Sequence, residues 1–225
     1  MKRALTIALL LGCSPAPKPP AQPAGDDLAF ELGIASQLAY DPSALKVGDF
    51  VLYSVRVDPT GQTNPYKWAV VGDEGGALWV ENRRPPEGGA SGPMIVKSKV
   101  DRAGKVLEVW IGTPGGAAVK YYPRAGQPAE PPPSPRRDSG SAQAQTREEP
   151  DRVSLSGKAY ACTKVTSTLA YPDGRKSTLT SWFSKDVPFA SSTTYGGLLR
   201  RKLGRFTMEL VTSGTNAPPE LTIPR

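Results

Sequence analysis

The sequence predicts a mainly β protein with one strongly bent antiparallel sheet of about 8–11 strands, preceded by a short N-terminal helix. Two observations predict the sheet. From Val47 onward, short apolar runs alternate with Gly, Pro, Asn and Asp, which is typical of strands separated by tight turns. In Lys105–Ile111, one face holds only Leu, Val and Ile, whereas the other includes Glu108. Such a strand has one face in a core and one face in water.

The first residues have the arrangement of an export signal. Met1-Lys2-Arg3 is basic, Ala4–Leu11 is apolar, and the small residue Gly12 follows. An apolar run this short does not span a bilayer, but it suits the central part of a secretory signal peptide. We therefore predict a signal peptide over residues 1–12. The alternative is a cytosolic protein whose first residues happen to be apolar.

The stretch Leu10-Leu11-Gly12-Cys13 resembles the lipobox of bacterial lipoproteins. The resemblance implies cleavage after Gly12, acylation of Cys13 with chains such as palmitate, and attachment of the mature protein to a membrane. Each buried methylene of such a chain contributes about 0.8 kcal/mol, and a second chain makes the anchoring stable. Ser14, rather than aspartate, follows the cysteine, which in this family indicates the outer membrane. Whether the body faces the periplasm or the cell surface stays open.

A proline-rich tether and a short helix are predicted to connect the anchor to the sheet. Residues 13–25 continue from the cysteine as SPAPKPPAQPAG, which is typical of extended polyproline II and not of a core. In Asp26–Tyr40, apolar residues recur at helical spacing from Leu28 to Leu38, which predicts an amphipathic helix. Gly33 interrupts this pattern, so a solvated lead-in with chance periodicity is the alternative.

Residues 26–225 are predicted to form a single β-rich domain. The strands fall into a longer first group and a short second group that is too small to stand alone, so we join them into one sheet. The clearest hairpin turn is Tyr171-Pro172-Asp173-Gly174. The predicted strands are Asp49–Val57, Tyr66–Val71, Ala77–Asn82, Met94–Val100, Lys105–Ile111, Ala117–Tyr122, Gly157–Tyr171, Arg175–Ser184 and Leu203–Thr212.

Residues 124–152 separate the two groups of strands and differ from them in composition. Proline, serine and charged residues dominate, with almost no apolar side chain larger than alanine. Such a segment cannot bury enough apolar surface to fold, which predicts a disordered insertion. Two interpretations stay open: a flexible arm that a partner binds, or an insertion tolerated within a surface loop.

The predicted architecture resembles the half-barrel fold of periplasmic lipoprotein carriers and receptors. The segment Thr180-Ser181-Trp182-Phe183-Ser184-Lys185-Asp186-Val187-Pro188-Phe189, followed by Gly196-Gly197-Leu198, is similar to a recurrent part of these proteins. In that part, a tryptophan-bearing strand leaves through an acidic turn into a glycine-containing connector. The resemblance implies a concave apolar face, which in many such relatives receives acyl chains. It assigns no ligand contact to an individual residue.

The composition argues against catalysis. The chain contains no histidine, which removes the commonest general base and metal ligand, and it carries no phosphate-binding glycine loop or dinucleotide fingerprint. We therefore predict a non-enzymatic protein with no metal site and no cofactor. Cys162 alternates with Tyr160 and Lys164 in a predicted strand. A small core residue is its expected role, and a reactive thiol is the alternative.

Basic residues concentrate in the last third of the chain. Val153–Arg225 holds ten basic and four acidic residues, and the densest cluster is Arg200, Arg201, Lys202 and Arg205. Beside a membrane, this cluster is a candidate patch for an anionic partner such as lipid phosphate or a polysaccharide, whereas nucleic acid is not expected there. The alternative is a solvated loop, because neighbouring residues of any strand point to opposite faces.

The sequence thus predicts a membrane-anchored lipoprotein that acts as an interaction or scaffold module of a cell-envelope assembly, for secretion, surface polymer or motility. Its predicted partner is an envelope protein. The alternative is a periplasmic carrier or receptor that binds acyl chains in the concavity of the sheet. For a carrier, the candidate lining residues are Trp68, Trp79, Trp110 and Trp182; core aromatics are the other interpretation.

Overall fold

The described residues form eleven β-strands. The computed structural model describes Leu38 and residues 40–86, 92–122, 143–170, 176–191 and 194–224. Within these ranges there is no helix. The strands are β1 (Phe50–Val57), β2 (Gln62–Glu74), β3 (Ala77–Arg84), β4 (Met94–Val100), β5 (Val106–Gly112), β6 (Val119–Lys120), β7 (Gln143–Leu155), β8 (Lys158–Ala170), β9 (Lys176–Ser184), β10 (Gly197–Leu203) and β11 (Phe206–Gly214).

All eleven strands belong to one antiparallel sheet in the order β6-β5-β4-β3-β2-β1-β11-β10-β9-β8-β7. Strands that follow each other along the chain pair with each other, except β6 and β7, which form the two edges. At the centre, β1 pairs with β11 and so joins the first and last strands of the described residues. The sheet is not closed. The predicted mainly β fold with a single antiparallel sheet is confirmed.

A contact across the sheet shows that it bends strongly. In a flat sheet with about 4.8 Å between strands, β7 and β11 would lie about 19 Å apart, because three strands separate them. Instead, the hydroxyl of Ser156, in the β7–β8 turn, donates to the carbonyl oxygen of Val211 in β11 over 3.2 Å. Val153 of β7 and Tyr160 of β8 also belong to the same buried cluster as Tyr53 of β1.

The core is centred on β1, where alternate residues are buried. Val51, Tyr53 and Val55 are completely buried, and their cluster includes Leu45 and Phe189 from the segments that flank the sheet. The Tyr53 hydroxyl donates to the carbonyl oxygen of Leu198 at 2.8 Å, which satisfies the polar end of a buried ring. Burial raises the pKa of Tyr53, so the phenol stays neutral.

The predicted helix over Asp26–Tyr40 is not supported by the structure. Leu38 and Tyr40 are not helical; the other residues of that range lie outside the described part, as do the predicted signal peptide and tether. Leu38 is buried in the main core, and the Tyr40 ring contacts the Phe189 ring edge-on at 5.7 Å between centroids. Contacts with the core, rather than a helical period, therefore explain the apolar residues at these two positions.

The predicted disordered insertion extends too far, because residues 143–152 belong to β7. This strand pairs with β8 along its whole length, whereas residues 123–142 lie outside the described part. Its polar side chains have cross-strand partners: Glu149 pairs with Lys164 at 2.7 Å, and Asp151 accepts the indole N–H of Trp182 at 2.8 Å. An edge strand stabilised by backbone hydrogen bonds and polar pairs has no apolar pattern to reveal it.

Candidate functional site

One face of β2–β5 presents charged and aromatic side chains to the last residues of the chain. The register places Glu81 of β3 opposite Lys97 of β4, and Lys97 opposite Trp110 of β5. Trp79 lies two residues before Glu81, so all four side chains share one face. Residues 217–224, which we call the strap, run across this face, which we call the strap face.

Glu81 and Lys97, which we call the clamp, bind the backbone of the strap. The two carboxylate oxygens of Glu81 accept the backbone N–H of Glu220 at 2.8 Å and that of Leu221 at 3.1 Å. The Lys97 ammonium donates to the carbonyl oxygen of Leu221 at 2.8 Å and pairs with Glu81 at 3.2 Å. The clamp side chains are only 4% and 10% exposed, so the pair is nearly removed from water.

The side chain of Glu220 lies between two cations. Its carboxylate contacts the Lys67 ammonium at 2.6 Å and the Arg83 guanidinium at 2.9 Å. Burial raises the pKa of Glu220, but hydrogen bonds and charge interactions with Lys67 and Arg83 outweigh that effect and hold the pKa below its ordinary value. The carboxylate is therefore ionised at neutral pH and forms two charge-assisted contacts.

Leu221 fills an apolar pocket beside the clamp. Its side chain is almost completely buried and packs with Ile95, Ala118 and Trp110. Gly112 contacts the leucine directly: a Cβ atom at that position would lie 2.6 Å from the Leu221 Cδ1 atom. The glycine thus leaves the space that the leucine side chain takes.

An open groove of about 590 Å³ continues beside the strap. Trp79 and Trp110 line it, and the indole N–H of each donates to a carboxylate: Trp79 to Glu74 at 2.9 Å, and Trp110 to Glu108 at 2.6 Å. A lysine pairs with each of these carboxylates, at 3.0 Å and 2.9 Å respectively. Aromatic rings and ion-paired carboxylates therefore both line the groove.

Exposed apolar side chains concentrate at one edge of the sheet. Among the described residues, seven large apolar side chains are exposed, and five of these lie on β5, on β6 or directly after β6. Val119 is 68% exposed and Tyr122 is 73% exposed. Within the described part of the chain, β6 pairs only with β5. We call the following five residues the apolar edge, which extends over both faces of the sheet because Val106 and Leu107 are strand neighbours: Val106, Leu107, Val119, Tyr121 and Tyr122.

The structure does not bring the four predicted basic residues into one patch. Arg200 and Arg201 are neighbours in β10, which is a strand and not the solvated loop of the alternative interpretation, so they point to opposite faces of the sheet. Arg200 pairs with Glu209 of β11 at 2.6 Å and lies over the Trp182 ring. The Arg200 charge is thus already paired with a carboxylate within the sheet.

The other members of the cluster also differ in their surroundings. Burial lowers the pKa of Arg201, whose guanidinium donates to the Ser181 hydroxyl at 3.4 Å. Lys202 is exposed, and Arg205 lies in the turn between β10 and β11. The four side chains therefore do not share one face, and binding of an anionic partner to these residues stays a prediction.

The four tryptophans do not line a common concavity. Trp68 and Trp182 belong to the buried core, where the Trp68 ring stacks on Tyr66, whereas Trp79 and Trp110 border the open groove. Trp68 and Trp182 are therefore core aromatics. The register places Trp68 on the face of β2 opposite to the strap face.

The structure describes only one of the two cysteines, Cys162. Cys162 packs against the main core, and burial raises the pKa of its thiol, which is the expected behaviour of a structural cysteine. Cys13 lies outside the described residues, so its acylation stays a prediction. In the described ranges, no cluster of acidic and cysteine side chains could hold a metal ion. No helix there has the length and apolarity needed to cross a bilayer.

Sequence reasoning missed the clamp and the strap. Glu81 directly follows the run Ala77-Leu78-Trp79-Val80, and Lys97 follows Ile95-Val96, so each charge comes immediately after apolar residues of a strand. A charged residue inside such a run is a signal of a buried polar contact, because an unpaired buried charge is not tolerated. The partner of the charge, however, lies far away along the chain.

No protein-family model and no curated protein matches this chain. Among solved structures, it is similar to MucB in complex with MucA, with 11% identity, 85% of this chain and 56% of MucB covered, and a TM-score of 0.39. The chain thus spans little more than half the length of MucB. Scores of this size do not define a common fold.

Two further structures show similarity of the same order. A protein with a YmcC-like fold from Bacteroides fragilis is 13% identical, with 79% of this chain and 100% of that chain covered and a TM-score of 0.33. A DUF1329 family protein from Desulfovibrio piger is 10% identical, with 85% and 92% covered and a TM-score of 0.29. Neither comparison shows the family or function of this chain.

Proposed function

We propose that the protein is an exported, lipid-anchored envelope protein that acts without catalysis as an interaction module for a protein partner. The location is supported by the lipobox-like stretch that ends at Cys13 and by the proline-rich tether up to Gly25. The outer membrane is the proposed membrane, because Ser14 and not aspartate follows the cysteine. The lack of histidine in the sequence supports a non-enzymatic role.

The apolar edge is the observation that supports protein binding. Exposed apolar residues are usually scattered over a protein surface, and a local concentration of them marks an interaction site. Tyrosine is enriched at interfaces because its ring buries a large area while its hydroxyl still bonds to water or a partner, and Tyr121 and Tyr122 supply two such rings. An edge strand such as β6 can also pair with an incoming strand.

The acyl-carrier alternative has less support from the contacts. Alternate residues of β1 are completely buried by the chain's own side chains, so an acyl chain on that face would have to displace part of the core. The groove beside Trp79 and Trp110 is bordered by the ion-paired carboxylates Glu74 and Glu108. Removing those charges from water for a lipid tail is unfavourable.

Native mass spectrometry of the protein purified from its own membranes tests this proposal. Val119→Lys places a charge in the apolar edge, and Val211→Lys changes an exposed valine of β11 as a matched control. We expect the wild type and the control to carry a bound protein, and Val119→Lys to lose it, because an interface would desolvate an unpaired ammonium.

Two outcomes would contradict the proposal. A co-purified acyl lipid in place of a protein would favour the carrier. Equal recovery of a bound protein with Val119→Lys and with the wild type would show that the apolar edge does not bind it. Circular dichroism of both variants checks that neither substitution unfolds the sheet.

A further inference from the structure

The strap face contains a cleft that the chain's own Glu220 and Leu221 occupy. We propose that this cleft is a peptide-binding site that also accepts a segment of a partner protein in which an acidic residue directly precedes leucine, in competition with the strap. The cleft is separate from the apolar edge and does not depend on it. It consists of the clamp, the basic pair Lys67 and Arg83, and the pocket of Ile95, Trp110, Gly112 and Ala118.

The clamp recognises a bent stretch of backbone, whatever its side chains. Glu81 accepts two consecutive N–H groups, and Lys97 donates to the carbonyl oxygen of the second residue. Two side chains thus satisfy three backbone groups of a dipeptide. In peptide recognition, such main-chain hydrogen bonds supply affinity, and side-chain pockets supply selectivity.

The two side-chain sites select an acidic residue followed by an aliphatic one. Lys67 and Arg83 contact one carboxylate within 2.9 Å, so a cation in its place would meet two like charges. The neighbouring pocket is apolar, and the lack of a Cβ atom at Gly112 sets its depth to that of a leucine. A carboxylate in that pocket would be buried without a partner.

The chemistry of the cleft suits an exchangeable occupant better than a permanent one. Burying a Glu–Lys pair carries a desolvation penalty that offsets its attraction, and apolar packing would hold a permanent strap equally well. Among residues 215–224, only Leu221 is fully buried, so the strap is attached at few points. Strap residues line part of the groove of about 590 Å³, so a ligand that displaces the strap also gains that space.

The covalent link of the strap determines how strongly a partner must bind. A tethered segment has an effective concentration on the order of 1 mM when its linker is short. A partner segment therefore displaces the strap only if it binds more tightly, or if a shared assembly holds it at a similar local concentration. The strap thus restricts the cleft to partners that meet one of these conditions.

A cut version of the full chain tests the proposal. A protease site inserted between Thr215 and Asn216, which are both exposed, allows the folded protein to be cut so that the strap stays bound without its covalent link. A fluorescently labelled peptide with the sequence of residues 216–224 is added, and fluorescence anisotropy measures its binding. Matched control peptides carry Glu220→Lys or Leu221→Asp. The uncut protein is measured in parallel.

We expect the labelled peptide to bind the cut protein saturably and both control peptides to fail. The uncut protein should bind about tenfold or more weakly, because the tethered strap competes. Three results would overturn the proposal: no binding to a cut protein that keeps its circular dichroism spectrum, equal binding of the Leu221→Asp peptide, or a dimer formed by exchange of straps. The last result would assign the cleft to a second copy of the chain.

A second variant keeps the test valid if cutting unfolds the chain. The uncut Leu221→Ala protein has a weakened strap, because alanine fills less of the apolar pocket. The labelled wild-type peptide should bind this variant more tightly than it binds the uncut wild type. Unchanged binding would overturn the proposal as clearly as the first set of results.

Discussion

Glu81→Gln is expected to loosen the strap while the sheet stays folded. Glutamine keeps the length of the side chain but has one acceptor oxygen in place of two. One of the N–H groups of Glu220 and Leu221 therefore loses its acceptor and faces the amide N–H₂ group. Lys97 also loses the carboxylate that lies 3.2 Å from its ammonium.

The structure limits the size of this effect. Leaving a buried donor unsatisfied costs about 1–3 kcal/mol, and breaking a buried ion pair costs about 3–5 kcal/mol. Detachment of the strap avoids both penalties, because Lys97 and the two N–H groups then return to water. Detachment forfeits the burial of the Leu221 side chain, worth about 1.5–3 kcal/mol, together with the contacts of Glu220 with Lys67 and Arg83. Since the chain adopts the state of lower free energy, we expect the free energy of unfolding to fall by about 1.5–3 kcal/mol or somewhat more.

Urea unfolding at neutral pH measures this loss, and amide hydrogen exchange shows whether the strap is attached. Exchange should accelerate at Glu220 and Leu221 and stay slow in β1 and β11. Glu74→Gln is a matched control, because Glu74 is an exposed carboxylate of the same face, and solvent screening leaves its ion pair with little effect on stability. A Glu81→Gln protein with unchanged stability and slow strap exchange would refute this reasoning.

Three other predictions concern the strap, the anchor and the connection between the sheet edges. The folded-state pKa of Glu220 lies below its ordinary value, so its stabilisation is present above that ordinary value and is lost as the pH falls through the folded pKa. The protection factors of the strap amides, which correct for the intrinsic pH dependence of exchange, should therefore fall on acidification. Glu220→Gln should remove this dependence, and an identical profile in the variant would contradict the prediction. Cys13→Ala should abolish acylation and release the protein from the membrane fraction. If this variant fractionates unchanged and the wild type carries no lipid mass, the protein is not anchored through Cys13. Replacing residues 125–140 by a glycine-serine segment of equal length should leave urea unfolding unchanged, because a flexible connection affects stability mainly through its length. Loss of folding would show that the segment packs on the body.

Alternation predicted the strands whose apolar residues face the core. Met94–Val100 was predicted with the bounds that the structure shows, and Gly104, which closes the next turn, has a φ of 87°. β10 was missed because Arg200-Arg201-Lys202 is typical of a solvated loop. The arginines fit a strand only because partners such as Glu209 lie on the neighbouring strand, and pairing across a sheet is not visible in a local window.

The candidate site depends on contacts that no local pattern encodes. Glu81 and Glu220 are 139 residues apart, and Lys97 reaches Leu221 across 124 residues. A charged residue next to an apolar run predicts that a partner exists but does not identify it. The apolar edge was hidden for a different reason: Val119 alternates as a core residue would, and only its position on the outermost strand exposes it.

Photo-crosslinking in intact membranes tests most directly whether an anchored protein partner binds the apolar edge. A benzophenone amino acid replaces Tyr121, and the same amino acid at Thr212, an exposed position of β11, is the control. We expect a protein adduct from position 121 that disappears in the Cys13→Ala background, and no such adduct from position 212. Adducts with acyl lipid alone, or the same adducts from both positions, would contradict an interaction module that binds through this edge.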